Sequence, residues 1–255
     1  MYFCAMEIHQ FLDATYLKTA TQAGISEEES LQNVLALTKE AIQFEYKLIM
    51  IRAHYIPVVR TLLKKANSKT LIGTVIGFHE GTATVTEKLI EAQKAIDLGV
   101  DELDFVLNFK AFTQGNFSLI DHEILECTKL SLQNDRVIKW IIETAALTNE
   151  EIVVISRRIK ELVLTHFKDT ATQRVFVKTS TGFYLTENNV PNGATLENIQ
   201  LIVANAKPLQ VKAAGGVRDY QMAKKMIALG VDRIGTSSSK EICRQEITTT
   251  KNNLY

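Results

Sequence analysis

The 255 residues carry 29 basic and 29 acidic side chains, so no surplus of positive charge marks a nucleic-acid or anionic-membrane partner. With 46% hydrophobic residues the chain can bury a sizeable core, and no apolar run is long enough to span a bilayer. Cys4, Cys127 and Cys243 are odd in number and far apart; they fit neither a zinc spacing nor a secreted disulfide framework and read as free thiols. The N-terminal stretch has no basic region followed by an apolar one, so no signal peptide is expected and a cytoplasmic location is.

In chain order, short apolar segments alternate with longer amphipathic ones. The strands expected are Phe11–Thr15, Leu48–Arg52, Leu71–Ile76, Glu102–Leu107, Val137–Glu143, Arg174–Thr179, Leu209–Ala213 and Arg233–Gly235. Between them, Ser26 with Glu29, Thr84 with Glu87 and Thr148 with Glu151 have the spacing of capping boxes that open helices. Further helices are expected over Ile56–Ala66, Asn116–Leu132, Thr195–Asn205 and Asp219–Leu229, and a last one near Ser237. Eight β-then-α units with buried strands favour an α/β fold, a (β/α)8 TIM barrel formed as a single domain over residues 1–255. An open doubly wound sheet lacks the Gly-x-Gly-x-x-Gly turn after its first strand. Thr248–Tyr255 is polar and reads as a mobile tail.

In a barrel the chemistry sits at the C-terminal ends of the strands. Lys178 ends the apolar run Val175-Phe-Val-Lys178, where an ammonium group is out of place. Alone, such a lysine would snorkel to water. Lys212 lies in a similar setting on the next strand, and Asp104 lies on strand four on the same face as Glu102. The like charge of Lys212 would disfavour protonation of Lys178 and leave an amine able to form a Schiff base. Asp104 would pair with Lys212 and hold a water for proton transfer; the competing reading is a structural ion pair. Asp13 on strand one and Lys139 and Glu143 on strand five are further polar residues on strands.

Two late turns suit a phosphate group. Gly215-Gly216 follows strand seven, Gly235-Thr-Ser-Ser-Ser239 follows strand eight, and Gly182 after strand six adds a backbone N–H. The five histidines are scattered and form no metal constellation. Lys64-Lys65, Lys224-Lys225, Arg157-Arg158 and Lys160 read as solvated helix faces.

Together these segments resemble the deoxyribose-phosphate aldolase family, a class I aldolase family. The matching stretches are Val177-Lys-Thr-Ser-Thr-Gly-Phe183, Val211-Lys-Ala-Ala-Gly-Gly-Val-Arg218, Asp101-Glu-Leu-Asp-Phe-Val-Leu-Asn108, Ile141-Ile-Glu-Thr144 and Arg233-Ile-Gly-Thr-Ser-Ser238. The likeness runs from about Leu12 to Ser238. It implies a TIM barrel that reversibly cleaves 2-deoxy-D-ribose 5-phosphate to acetaldehyde and D-glyceraldehyde 3-phosphate, without metal or cofactor, in deoxyribose phosphate catabolism. The family's Schiff-base lysine falls on Lys178, its second lysine on Lys212 and its proton-relay aspartate on Asp104. Its phosphate contacts fall on Gly182, Gly215, Gly216, Ser237 and Ser238. Asp13, Lys139 and the terminal Tyr255 are accessory candidates. The expected partner is a small sugar phosphate; barrel aldolases often pair, so a homodimer is a candidate assembly.

The chain departs from the family pattern in three places. Asp13-Ala-Thr-Tyr-Leu-Lys18 replaces Asp-His-Thr-Leu-Leu-Lys, Met50-Ile-Arg-Ala53 stands where strand two commonly carries a cysteine and later a proline, and Ser239 replaces a glycine. The strand-two change bears on how the sugar hydroxyls or the acceptor aldehyde fit. Two rivals follow: a class I aldolase for another sugar phosphate, and a non-catalytic sugar-phosphate-binding barrel. If the Tyr255 phenol folds over the site, truncating it slows proton exchange into acetaldehyde; exchange at the full rate removes Tyr255 from the chemistry.

Overall fold

The computed structural model describes residues 7–186 and 192–252, the last six of these by their backbone alone. Eight parallel strands close into one barrel in chain order: β1 (Leu12–Thr15), β2 (Leu48–Met50), β3 (Leu71–Ile76), β4 (Glu102–Val106), β5 (Val137–Ile141), β6 (Val175–Lys178), β7 (Gln210–Ala214) and β8 (Arg233–Thr236). Each expected strand is present. Strands two and five stop two residues earlier than expected. For β5 the cause is Glu143, whose φ of 57° leaves the extended region.

The helices outside the barrel are α1 (Ala20–Ala23), α2 (Glu27–Phe44), α3 (Ile56–Lys65), α4 (Val85–Asp97), α5 (Phe109–Thr113), α6 (Phe117–Gln133), α7 (Asn149–His166), α8 (Leu196–Ala206), α9 (Tyr220–Ala228) and α10 (Ser239–Asn252). The three capping boxes form as the spacing predicts, at Ser26, Thr84 and Thr148. The short helices α1 and α5 have no counterpart in the sequence reading, because one turn shows no apolar period. The polar stretch from Thr248 begins inside α10, and Tyr255 lies outside the described residues. Among the described residues no helix is long and apolar enough to cross a membrane.

Alternation along the strands splits the structure into two interiors. Ile49, Ile72, Phe105, Trp140, Val177 and Val211 face outward and pack beneath the helices in the main hydrophobic core. Burying each such side chain stabilises the fold by about 1.5–3 kcal/mol. Leu48 and Met50 on β2 and Val75 on β3 face inward and fill one side of the barrel. The other strands carry charges at inward positions, and Val106 of β4 and Ile141 of β5 form a further apolar cluster with Phe109.

Arg157 and Arg158 are not simply solvated. Arg157 Nε donates to Asn205 Oδ1 at 2.7 Å, and Arg158 pairs with Asp121 while lying 4.7 Å over the Phe117 ring. They tie α7 to α8 and α6.

A buried ion pair braces the rim. Lys88 of α4, fully buried, pairs with Glu123 of α6 and also donates to Gly81 O at 2.6 Å and Val106 O at 2.7 Å. Glu123 Oε2 in turn accepts the Asn108 N–H at 3.1 Å. One ammonium group therefore holds the loop after β3, the end of β4 and the entry to α5. Lys88→Met leaves Glu123 buried without its partner and is expected to cost about 3–5 kcal/mol. A urea midpoint within error of the parent protein would contradict that bracing role.

Candidate active site

Register brings the sequence-predicted residues together. Asp104 lies opposite Lys139, Ile141 opposite Lys178, Lys178 opposite Lys212, and Lys212 opposite Arg233. All of these side chains except Ile141 belong to a charged cage inside the barrel, and all are buried. Asp104 is its hub: Oδ2 accepts from Lys178 Nζ at 2.8 Å and Lys212 Nζ at 2.9 Å, and Oδ1 accepts from Lys139 Nζ at 2.8 Å. Asp13 Oδ2 pairs with Lys212 at 2.5 Å, and Glu102 Oε2 pairs with Lys139 at 2.6 Å. Arg233 closes the cage, with its Nε on Asp13 Oδ1 at 2.8 Å and Nη1 on Glu102 Oε1 at 3.1 Å.

Four cations thus meet three carboxylates. Lys139, Lys212 and Arg233 each contact at least two carboxylates. Among the carboxylates of the described residues Lys178 pairs only with Asp104, and shares that carboxylate with two other lysines. In a low-dielectric interior the surplus charge is costly, and the cation with the weakest compensation is the one to lose its proton.

The titration shifts follow this layout. Burial lowers Lys178 most, the Asp104 carboxylate opposes it, and the charges of Lys212 and Lys139 lower it further, to about 8. Lys212 therefore acts as the sequence suggested, but burial is the larger cause. Burial would raise Asp104; the charges of Lys139, Lys178 and Lys212 outweigh it and hold the carboxyl well below its usual range. Burial would lower Lys139, yet Asp104, Glu102 and Asp13 raise it above the ordinary lysine value. The amine with the depressed value is the one at the mouth of the barrel.

The sequence reading missed Arg233 as a cage member and gave Glu102 no role. Inward alternation was the available signal: Glu102 shares a face with Asp104, and Arg233 opens strand eight beside Lys212. Gly235, at the expected end of strand eight, lies opposite Ala214. A Cβ built on it would lie 3.0 Å from Lys212 Cε and 3.2 Å from Ala214 Cβ, so glycine leaves the lysine stem its room.

The expected phosphate turns follow three neighbouring strands, β6, β7 and β8. Gly215 has φ of 87°, and Gly193 lies against it, its added Cβ only 2.3 Å from Gly215 O. Ala194 N donates to Ala214 O at 3.1 Å and to Gly215 O at 3.0 Å, so the chain near Gly193 fixes the turn from above. Asp219 caps α9 through Met222 N, which places a carboxylate at that helix start. Ser237 and Ser238 directly precede α10, and the Ser238 N–H donates to Thr236 Oγ1 at 2.9 Å.

The divergent strand two faces the charged cage across the barrel. Met50 packs with Leu17, Leu48 and Val75, with Phe78 and Phe183 against them. Arg52 Nε donates to Leu17 O at 2.9 Å, and its guanidinium lies 4.8 Å over Phe78. The opposite wall of the mouth is therefore apolar with a cationic rim.

A (β/α)8 barrel with a lysine of depressed pKa at the catalytic end, hydrogen-bonded to a carboxylate and beside a second lysine, has the layout of an aldolase that works through an amine. No family model matches the chain. Among curated proteins it is 33% identical to a deoxyribose-phosphate aldolase of Thermococcus kodakarensis, over 92% of this chain and 95% of that one. It is 37% identical to one of Dictyoglomus turgidum, over 84% and 89%. Among solved structures it overlays a tetrameric deoxyribose phosphate aldolase from Aeropyrum pernix with a TM-score of 0.75, 25% identity and coverage of 95% and 92%. An aldolase called QR15 overlays with a TM-score of 0.76, 30% identity and 98% coverage of each chain. The chain belongs to the deoxyribose-phosphate aldolase family.

Only the free amine attacks a carbonyl. The rate of imine formation is therefore expected to climb with pH and level off above about 8. Lys212→Met removes a like charge, raises the Lys178 pKa and moves this limb upward. Stopped-flow trapping across pH measures both; a limb that stays put in Lys212→Met would contradict the coupling.

Proposed function

We propose that this chain cleaves 2-deoxy-D-ribose 5-phosphate reversibly to acetaldehyde and D-glyceraldehyde 3-phosphate, as a class I carbon–carbon lyase. The observation that carries this reading is Lys178: a buried amine at the barrel mouth whose one carboxylate partner among the described residues, Asp104, is shared with Lys139 and Lys212. Its nitrogen attacks the carbonyl carbon of the open-chain sugar, and loss of water gives an iminium ion. The iminium accepts the electron pair as the bond between the second and third carbons breaks. Asp104, Lys212 and a water shuttle the protons, including the one taken from the 3-hydroxyl. Glyceraldehyde 3-phosphate leaves, the enamine is protonated, and hydrolysis releases acetaldehyde.

Lys139, Arg233, Asp13 and Glu102 act from beneath. Their mutual pairing holds Asp104 ionised and in place, so the reacting lysine meets a preorganised carboxylate. The phosphate would bind the N–H groups near Gly182, Gly215 and Gly216 and the helix start at Ser237 and Ser238. That anchor lies away from the bond being broken, so its binding energy serves to orient the reacting carbon. A cytoplasmic setting, a place in deoxyribose phosphate catabolism and a homodimeric assembly complete the proposal.

The apolar strand-two wall favours one variant of this reading, in which the acceptor aldehyde differs. Borohydride treatment with acetaldehyde, followed by peptide mapping, is expected to leave a reduced adduct on Lys178. Lys178→Leu is expected to lose cleavage of the deoxyribose phosphate by several orders of magnitude. Full activity in Lys178→Leu would overturn the mechanism, and tight sugar-phosphate binding with no adduct on any lysine would mark a binding protein instead.

A further inference from the structure

Glu143 is not used by the proposed mechanism, yet its environment is costly. It follows β5 with φ of 57°, a left-handed conformation that is strained for a non-glycine residue. Its side chain is fully buried. Oε2 accepts from the Thr181 backbone N–H at 3.1 Å and from the Thr181 hydroxyl. Oε1 is buried and has no hydrogen-bond partner among the described residues. The neighbouring Ser180 hydroxyl lies 3.1 Å from Thr144 Oγ1, with either oxygen able to donate, and it also acts on the Glu143 carboxyl. A latch for the loop needs one oxygen; the second is left over in a place where an unmet carboxylate oxygen is penalised.

The geometry suggests a use. Ile141 ends β5 opposite Lys178, and beyond it the Ile142 and Thr144 N–H groups donate to Lys178 O at 3.0 Å and Thr179 O at 2.9 Å. The Glu143 backbone between them therefore runs beside the end of β6, on the mouth side of Lys178. Below Lys178 Nζ the space is taken by Asp104, Lys139 and Lys212. A carbonyl can reach the amine only from the mouth, so the carbon bonded to Nζ comes to lie between the Asp104 layer and the Glu143 carboxyl. Burial pushes this carboxyl up from its ordinary value, against the two Thr181 donors, the Lys178 charge and the Ser180 hydroxyl, which favours the protonated form.

Resting on the Schiff-base reading above, we propose that Glu143 Oε1 is a catalytic proton donor for formation and hydrolysis of the imine on Lys178. In the tetrahedral adduct the nitrogen lone pair forms the C=N bond as the C–O bond breaks. The departing hydroxide takes the proton from Oε1 and leaves as water, and Glu143 remains as a carboxylate facing the iminium. Hydrolysis runs the same steps backward: water adds to the carbon and returns its proton to Oε1. Asp104 and Lys212 are left with the protons of carbon–carbon cleavage, so two acid–base sets flank the reacting carbon.

Glu143→Gln separates this role from the latch. The amide oxygen can still accept from Thr181, but the side chain has no proton to transfer. The measurement is the single-turnover rate of borohydride-trapped adduct on Lys178 with acetaldehyde, in the parent protein and the variant. The expected result is a fall of about 10²-fold in the trapping rate with KM changed less than about threefold, in line with loss of one positioned acid. Formate added to Glu143→Ala is expected to restore part of the rate. Trapping in Glu143→Gln at the parental rate would overturn the proposal, as would a folded Glu143→Ala that formate leaves unchanged. Failure of the parent protein to form any adduct would instead refute the Schiff-base reading.

Discussion

The structure depends on an imbalance: four cations are enclosed with three carboxylates inside one barrel. Each carboxylate serves at least two partners, so the cage is a network and not a set of separate pairs. Such a network resists rearrangement, since moving one side chain leaves another charge buried without a partner. The imbalance is resolved at the mouth, where Lys178 has the least compensation. Its depressed pKa is thus a property of the whole inner layer and of its burial, with Lys212 one contributor among several.

Barrel topology makes the cage possible. The members come from β1, β4, β5, β6, β7 and β8, and only a closed sheet points six strands at one volume. The outward faces supply the stability, through the apolar core beneath the helices. The inward faces are then free to carry charge that a core could not tolerate. On β2 and β3 the inward residues are apolar, and Val106 of β4 and Ile141 of β5 add a second apolar cluster. Lys88 and Glu123 hold the rim where the β3 loop meets the end of β4.

Much of this was legible in the sequence, for identifiable reasons. Strand positions were marked by apolar runs, and helix starts by serine or threonine three residues before glutamate. Lys178, Lys212 and Asp104 stood out because charge interrupts those runs. Arg233 and Glu102 were harder to see, because each lies at the first position of its strand, where a charged residue is ordinarily solvated. Closure of the barrel turns those positions inward. Lys88 was hidden for a different reason: on a helix among other charges, nothing local says which lysine faces in. Glu143 was visible as a residue but not as a feature, since its left-handed backbone and unmet oxygen exist only in three dimensions. Tyr255 lies beyond the described residues and keeps its place as an expectation from sequence.

The proposed chemistry depends on the charge state of one amine. Lysine labelled with carbon-13 at Cε, with Lys178 assigned by comparison with Lys178→Leu, reports that state directly as pH is varied by NMR. Lys178 is expected to titrate with a midpoint near 8. A midpoint at the ordinary lysine value near 10.5 would mean that the cage holds its fourth proton, and would contradict the central claim.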